Sequence, residues 1–404
     1  MATRNLKFTR RVNAPAAQVY RAFTSSTALR EWFCNAAQAD ARVGGRLYLW
    51  WSSGYYTAGE FTALTPNQRI AFTWQGRGEP GLTRVVVTLT EKPDGTRVSV
   101  RHTGVAVGKA WTKATQEFSS GWQSALENLQ ATLETGLDLR FTRRPMLGIN
   151  VGILNAKEAK KLRVPVSVGI RLDGVGEGTG AQAADLRTDD VIVKMGGKPI
   201  TGYTSLANVL QTHRAGDELT VVFYRGAKKH TVKMQLSARP LPEVPPTAPA
   251  LADAVRASYA EQFAELAECF DGVSEAEAER CPKPGEWSAK ETLAHLIAGE
   301  RDNHAWLSDL LNDAERWYDN NDAFDNVPAR LTAMVQAYPS IADLLSEFKR
   351  VQTETVAIIA ALPKAFVAHK ATYWRVGANL LQANVHTRAH LPQIRTAVET
   401  PGGV

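Results

Sequence analysis

Cysteine is scarce, with 3 in 404 residues. Cys34, Cys269 and Cys281 are odd in number and show no CxxC spacing. That argues against a disulfide framework and fits a reducing, cytoplasmic setting. No run of about 18 or more apolar residues is present to suggest a membrane span. The stretch from Met1 to Val12 is basic but lacks the apolar core of a signal peptide. A soluble cytoplasmic chain with no membrane partner is therefore expected. Clustered positive charge is missing too. The basic residues are scattered, so the formal charge of +6 gives no nucleic-acid footprint. That total hides a division, because positions 1–140 sum to +7, 141–240 to +8 and 241–404 to −9. At this length two to four domains are expected, and an apolar fraction of 44% lets each build its own core.

The first module, residues 1–138, starts with a strand-like Leu6–Val12, then Ala14-Pro15 and an apolar helical face of Val19, Tyr20 and Phe23. A short helix over Ala28–Phe33 follows, then strand-like segments Arg46–Trp51, Tyr55–Leu64, Gln68–Trp74, Thr83–Thr90 and Arg97–His102, with turn signals between them. A long helix from about Lys109 to Glu134 closes the module, with Phe118, Trp122, Leu126 and Leu129 on one stripe. On Glu31-Trp32-Phe33, Val43-Gly44-Gly45, Thr65-Pro66, Asp94-Gly95-Thr96 and Gly121-Trp122, this module resembles the START-like (SRPBCC) superfamily, nearest the homologues of the activator of the heat-shock protein 90 ATPase. The resemblance implies an α+β helix-grip fold with a cavity for a small hydrophobic ligand. Trp32, Trp74 and Trp122, with Trp50 and Trp51, are its candidate lining, and the same aromatics equally suit plain core. His102, alone on a strand, reads as structural.

Residues 141–238 change pattern. Leu147-Gly148-Ile149, Asp190-Val191-Ile192, Gly197-Lys198-Pro199-Ile200 and Gly216-Asp217 resemble a PDZ domain of the bacterial protease-associated type, mainly β. The resemblance implies capture of a C-terminal peptide as an added strand, with Leu147, Gly148 and Ile149 in the carboxylate loop and a helix over Ser205–Thr212 as the other wall. Two departures bear on this. Asp185 stands where relatives carry glycine, and Asp173–Gly180 is acidic and glycine-rich. A groove used only against neighbouring parts of the chain is the other reading. No protease triad accompanies the module.

Residues 239–250 hold five prolines and read as a semi-rigid linker. Helical periodicity then dominates 251–398, with helices expected at Leu251–Cys269, from Ser288 to about Leu311, at Ile341–Leu362 and at Ala378–Val398. Ser288-Ala289-Lys290-Glu291 is a capping box. His386 and His390 are four apart, so both imidazoles lie on one helical face about a turn apart. With His295 from an earlier helix, three neutral imidazoles can hold a divalent metal and leave positions for water or a thiol. His304, nine residues beyond His295, should face elsewhere. Trp374 and Arg375 are candidates for a pocket mouth. On Pro284-Gly285-Glu286-Trp287-Ser288, Thr292-Leu293-Ala294-His295-Leu296, His386, His390 and Gln393-Ile394, the segment resembles the DinB-like superfamily of mycothiol-dependent maleylpyruvate isomerases and bacillithiol transferases. The resemblance implies an all-α four-helix bundle, His295, His386 and His390 as ligands to Zn, Ni or Fe, and a low-molecular-weight thiol cosubstrate.

Three functions follow from these readings. The chain is a metal-dependent thiol transferase or hydrolase acting on small electrophiles, a non-enzymatic ligand-binding or stress-response scaffold, or a co-chaperone-like protein. No catalytic side chain is singled out.

Overall fold

A computed structural model describes residues 3–400 apart from 153, 284 and 317–326. Pro284, the first residue of the helix-start motif, thus lies outside the described residues. The chain forms two compact units, Met1–Asp138 with Pro242–Val404, and Leu139–Leu241.

The first unit opens with strand β1 (Thr3–Val12), helices α1 (Ala16–Thr24) and α2 (Ser26–Trp32), and strands β2 (Ala36–Ala39), β3 (Arg46–Trp50), β4 (Tyr56–Thr65), β5 (Arg69–Gly76), β6 (Thr83–Lys92) and β7 (Gly95–Ala106). These strands make one antiparallel sheet in the order β1-β7-β6-β5-β4-β3-β2. Helix α3 (Thr112–Thr135) lays Phe118, Trp122, Leu126 and Leu129 into the core that the sheet curves around. The short β2 escapes a pattern reading because its four residues, Ala-Ala-Gln-Ala, carry no strand propensity. Its pairing with β3 makes it a strand. Helix α3 ends at Gly136, whose φ of +82 is left-handed and where an added Cβ would meet the Lys370 carbonyl oxygen at 2.7 Å.

The same unit resumes as a bundle. Its long helices are α8 (Ala248–Glu268), α10 (Ala289–Leu311), α12 (Ile341–Ala360) and α15 (Ala383–Glu399), with shorter α9 (Glu275–Ala278), α11 (Val327–Ala337), α13 (Lys364–Ala368) and α14 (Lys370–Leu381). Helix α8 starts at Ala248 because Thr247 caps it and Pro249 fits its first turn. The last helix departs from the single Ala378–Val398 element that periodicity suggests. It breaks at Gln382, so that α14 packs on α2 and α3 while α15 packs on α8 and α10. Neither glycine nor proline marks that break, and tertiary packing decides it. The returning chain also docks on α14. Tyr373 donates its hydroxyl to the Pro245 carbonyl at 2.8 Å, and Gly377 leaves room for Val244.

Helices α1 and α2 meet the bundle through buried and half-buried charge. Arg21 holds Asp313 with Nη2 at 2.6 Å and Nε at 3.0 Å. Glu315 lies between Arg30 (3.2 Å) and Arg375 (2.5 Å), accepts from Trp306 Nε1 at 2.8 Å, and donates its backbone N–H to Thr27 Oγ1 at 3.0 Å. Burial works to raise the Glu315 carboxyl, but Arg375 and Arg30 outweigh it and hold it below the usual range. Buried Glu31 accepts from Thr372 and faces Arg21 at 3.6 Å. Burial pushes Glu31 upward against the pull of Arg21 and Arg375. Arg375 therefore belongs to this seam rather than to a pocket mouth.

The second unit contains α4 (Leu139–Thr142), β8 (Ile149–Gly152), α5 (Ala156–Lys161), β9 (Ile170–Val175), α6 (Gly180–Ala183), β10 (Val191–Met195), β11 (Lys198–Pro199), α7 (Tyr203–Leu210), β12 (Glu218–Arg225) and β13 (Lys228–Gln235). The sheet order is β13-β12-β10-β9-β8, with β11 on β10. Met146 and Ser237 form a bridge, exchanging N–H to carbonyl bonds of 2.9 and 3.0 Å, so the two ends of the unit are side by side. Asp185 has φ +56, a left-handed conformation that glycine adopts without strain. Its carboxylate offsets this by binding Arg187 and Arg225, and Arg225 also grips fully buried Asp190 with two bonds of 2.8 Å.

Glu315→Gln removes the carboxylate that Arg30 and Arg375 both contact in the seam. A stability loss of about 3 kcal/mol is expected for the first unit. Urea unfolding followed by tryptophan fluorescence checks it, and a loss below about 0.5 kcal/mol would contradict the role given to Glu315.

Candidate metal centre

Helix α10 starts where its capping box predicts. The Ser288 hydroxyl accepts from the Glu291 N–H at 3.1 Å, and the Glu291 carboxylate accepts from the Ser288 N–H at 2.8 Å. Fixing the start fixes the rotation, and His295 comes to face α15 with its ring 4.9 Å from that of Trp287. On α15, His386 and His390 project from adjacent turns. The buried Thr387–Gln262 hydrogen bond of 3.3 Å and the Arg388–Glu265 pair at 2.6 Å lock this helix against α8.

The three imidazoles converge. His386 Nε2 lies 3.3 Å from His295 Nε2 and 3.1 Å from His390 Nε2, and one nitrogen from each ring falls within 4.8 Å of the others. An imidazole nitrogen has a single in-plane site, so His386 Nε2 cannot make good hydrogen bonds to both neighbours. His390 Nδ1–H donates to Gln393 Oε1 at 2.9 Å, which leaves its Nε2 lone pair facing the other two rings. A neutral cluster thus retains an unmatched lone pair, which a cation resolves. The spacing also suits one, since nitrogens about 2.0–2.1 Å from a tetrahedral zinc stand about 3.4 Å apart. Burial, with the neighbouring imidazoles, pushes the His295 pKa down to about 4, and burial also lowers His386. Both are therefore neutral and ligand-competent near neutral pH. Gln393 is the outer partner that sets the His390 tautomer.

Beside His386, a cavity of about 280 Å³ runs between α10, α12 and the α14–α15 break, lined by Leu296, Gly299, Glu300, Asn303, Asn379 and Gln382 among others. Glu300 is 6% exposed and hydrogen-bonded to Tyr259 (2.9 Å) and Thr355 (3.0 Å). His304 points away from the triad and bonds Thr355 at 2.7 Å. Sequence reasoning passed over Glu300 and its partners, although a signal existed. Leu293, Ile297, Glu300, His304 and Leu307 follow the 4-3-4-3 spacing of a core stripe, so two polar residues occupy core positions.

The other candidate residues fall in separate places. Trp32, Trp74 and Trp122 are buried in the helix-grip core and joined through Phe33, whose ring lies 4.6 Å from Trp32, 5.3 Å from Trp122 and 6.3 Å from Trp74. His102 closes this cluster as a fixed tautomer. Trp122 Nε1–H donates to Nδ1 at 3.2 Å, Nε2–H donates to Thr83 Oγ1 at 2.7 Å, and that hydroxyl donates to the Trp74 carbonyl at 3.0 Å. Burial pushes the His102 pKa down to about 4. In the second unit, Leu147 is buried, Gly148 has φ +74 with no room for a Cβ against Thr179, and Ile149 opens β8, the last strand of its sheet.

Fold and site together define a chain of three modules, namely a helix-grip domain, a PDZ domain and a DinB-type helical bundle. Residues 13–134 match the family described as Activator of Hsp90 ATPase homolog 1-like protein, residues 145–236 match the PDZ domain, and residues 258–394 match the DinB superfamily. Among curated proteins, the chain is 34% identical over 102 residues to a probable periplasmic serine protease do/HhoA-like of Haemophilus influenzae, covering 25% of this chain and 22% of that protein. It is 34% identical over 99 residues to serine protease Do-like HtrA of Lactococcus lactis, covering 23% and 24% respectively. The chain thus spans less than a quarter of the length of these relatives, and the match is confined to the PDZ region. Among solved structures it is similar to the Aha1 dimer from Colwellia psychrerythraea (21% identity, 32% of this chain, 96% of that chain, TM-score 0.29). It is also similar to protein CV1439 from Chromobacterium violaceum (29% identity, 31% and 94%, TM-score 0.28). Among the described residues, no helix is long and apolar enough to cross a membrane.

Two outcomes test this description. The unfolded chain takes up a proton on His102 between pH of about 6.5 and about 4 while the folded chain refuses it. Stability should therefore fall as pH drops through that window, with a shallower slope in His102→Gln, as read from urea midpoints. At Gly299 an added Cβ meets open space. Gly299→Ala should stabilise α10 by about 0.5–1 kcal/mol, measured by thermal unfolding.

Proposed function

We propose that the bundle is a metal-dependent thiol transferase or a related hydrolase, with His295, His386 and His390 holding one divalent ion of the zinc, nickel or iron class. The observation that carries this reading is the convergence of three Nε2 atoms with a tautomer set by Gln393. Three protein ligands leave an open position, the arrangement of a centre that exchanges ligands. An ion bound there supplies a Lewis acid that lowers the pKa of a thiol or water at that position. The chain's own contribution is the adjoining cavity. Asn303, Asn379 and Gln382 offer amides to orient a small polar molecule, and Leu296 and Phe348 offer apolar surface. A low-molecular-weight thiol of the bacillithiol, mycothiol or glutathione kind suits that mixed lining, with a small electrophile as its acceptor.

The other modules serve this centre as binders. The helix-grip domain takes a small hydrophobic ligand between sheet and α3, at the cluster of Trp32, Trp74 and Trp122. The PDZ unit takes a C-terminal peptide along β8, with Leu147, Gly148 and Ile149 at its carboxylate. Three cysteines without a disulfide support a cytoplasmic setting.

Metal content of the purified chain is the test. The wild type should carry one divalent ion per chain, lost in His386→Ala and in His390→Ala, and added metal should raise the wild-type Tm by mass action. Wild-type protein that stays metal-free after growth and dialysis with zinc, nickel or iron would end this reading. With metal present, turnover of electrophiles by each of the three thiols decides between transferase and a purely binding role.

A further inference from the structure

Glu300 is a carboxyl in the interior of a bundle, hydrogen-bonded to the neutral side chains of Tyr259, Thr355 and Asn303. Among the described residues no Lys or Arg pairs with it. Its Oε2 accepts from Tyr259 Oη at 2.9 Å and lies 3.0 Å from Thr355 Oγ1, and its side chain lines the cavity that His386 also lines. A structural carboxylate this deep ordinarily has a cationic partner, as Glu315 does in the seam. Without one, the interior favours the form that keeps its proton. Burial accordingly raises the Glu300 carboxyl, against the hydrogen bonds from Tyr259, Thr355 and Asn303.

The bonds continue outward. His304 Nε2 is 2.7 Å from Thr355 Oγ1, and Nδ1 of the same ring is 3.9 Å from Glu354 at the bundle surface. With Nε2–H donating to Thr355 Oγ1, and the Thr355 hydroxyl donating to Glu300, the three side chains form one line from solvent to the cavity. The alternative acceptor for that hydroxyl, the Val351 carbonyl at 3.1 Å, is slightly farther than Glu300.

We propose that Glu300 is the acid of the bundle's reaction centre, giving its proton to the negative charge that develops on a substrate in the cavity, with Thr355 and His304 as the route that renews it. This rests on the metal-dependent reading of the histidine triad. Donation leaves Glu300 as a carboxylate, stabilised by the Tyr259 and Thr355 hydroxyls. Thr355 then passes its hydroxyl hydrogen to Oε2 as it takes one from His304 Nε2. His304 takes a proton from water at Nδ1 as it gives up the one at Nε2, so one proton moves from solvent to substrate in total, and turning of the imidazole and the Thr355 hydroxyl restores the starting line. A carboxyl placed only to brace α10 against α8 and α12 needs neither access to the cavity nor a line to the surface.

The probe is Zn2+ alone, added to the full chain labelled with ¹³C at glutamate carboxyls, with the Glu300 signal assigned by its loss in Glu300→Gln. Without metal, Glu300 should titrate above ordinary glutamate, and Thr355→Val should raise it further by removing a donor to the charged form. Saturating Zn2+ should lower the midpoint by about one pH unit or more, a tenfold weaker hold on the proton, because a dication then borders the same cavity. A midpoint that Zn2+ leaves unmoved, with one Zn2+ bound per chain, overturns the proposal and leaves the metal site standing. Failure of Zn2+ to bind overturns the reading of the triad and this proposal with it. Since the wild-type titration carries the test, poor folding of either variant does not remove it, and Glu300→Asp serves as a second assignment.

Discussion

Much of this molecule depends on one carboxylate, Glu315, held between two guanidinium groups. Arg30 comes from α2 of the helix-grip domain and Arg375 from α14 of the bundle, while Glu315 itself follows the end of α10. The pair of ion contacts therefore joins the two helical segments that lead to the histidines. Helix α10 carries His295, and α14 runs directly into α15 with His386 and His390. A buried pair is a poor source of stability compared with packed hydrocarbon, but breaking one side of it is costly. That asymmetry makes the seam a positioning device, since few alternative dockings satisfy a buried carboxylate and two half-buried guanidinium groups together. On the other side of α2, Trp32 and Phe33 sit in the aromatic cluster, so the same short helix touches both cores.

The histidine triad shows how geometry turns a common spacing into three converging imidazoles. Two histidines four apart occur on many exposed helical faces. Here a capping box sets the phase of the opposing helix, Thr387 and Arg388 set the roll of their own, and Gln393 decides which nitrogen is free. Of the three histidines, His386 lines the cavity, beside a carboxyl that the interior keeps from ionising easily.

The three module types and their fold classes were legible in the sequence because each carries local, short-range signals. Gly-Gly turns, alternating strands, the Leu147-Gly148-Ile149 opening and the Ser288–Glu291 box are all written within a few residues. What stayed hidden was decided at long range. Arg21 and Asp313 are 292 positions apart, and nothing near either one announces the other. The break at Gln382 has no glycine or proline, and β2 owes its strand to pairing. Glu300 and His304 were visible as polar residues in an apolar stripe, but which of them faced a cavity required the neighbouring helices. Asp185 is the reverse case. It looked like a departure from the expected glycine, and the backbone keeps the glycine-like conformation while two arginines occupy its carboxylate.

The middle unit interrupts the first one, and the way it does so bears on the order in which the chain can assemble. The first unit is discontinuous. Its chain departs just after Gly136, seated against Lys370 of α14, and comes back at Val244 and Pro245, seated on Gly377 and Tyr373 of the same helix. Joining those two points through an unstructured segment of Leu139–Leu241 would carry the loop-closure entropy of about 100 residues. Once the interrupting unit has folded, its Met146–Ser237 bridge ties its own ends together, and the effective loop shrinks to roughly 17 residues. The logarithmic cost of closure then falls by about 2 kcal/mol. An early-folding insert would thus act as an internal clamp for its host, with a local β-structure preparing the long-range union of sheet and bundle.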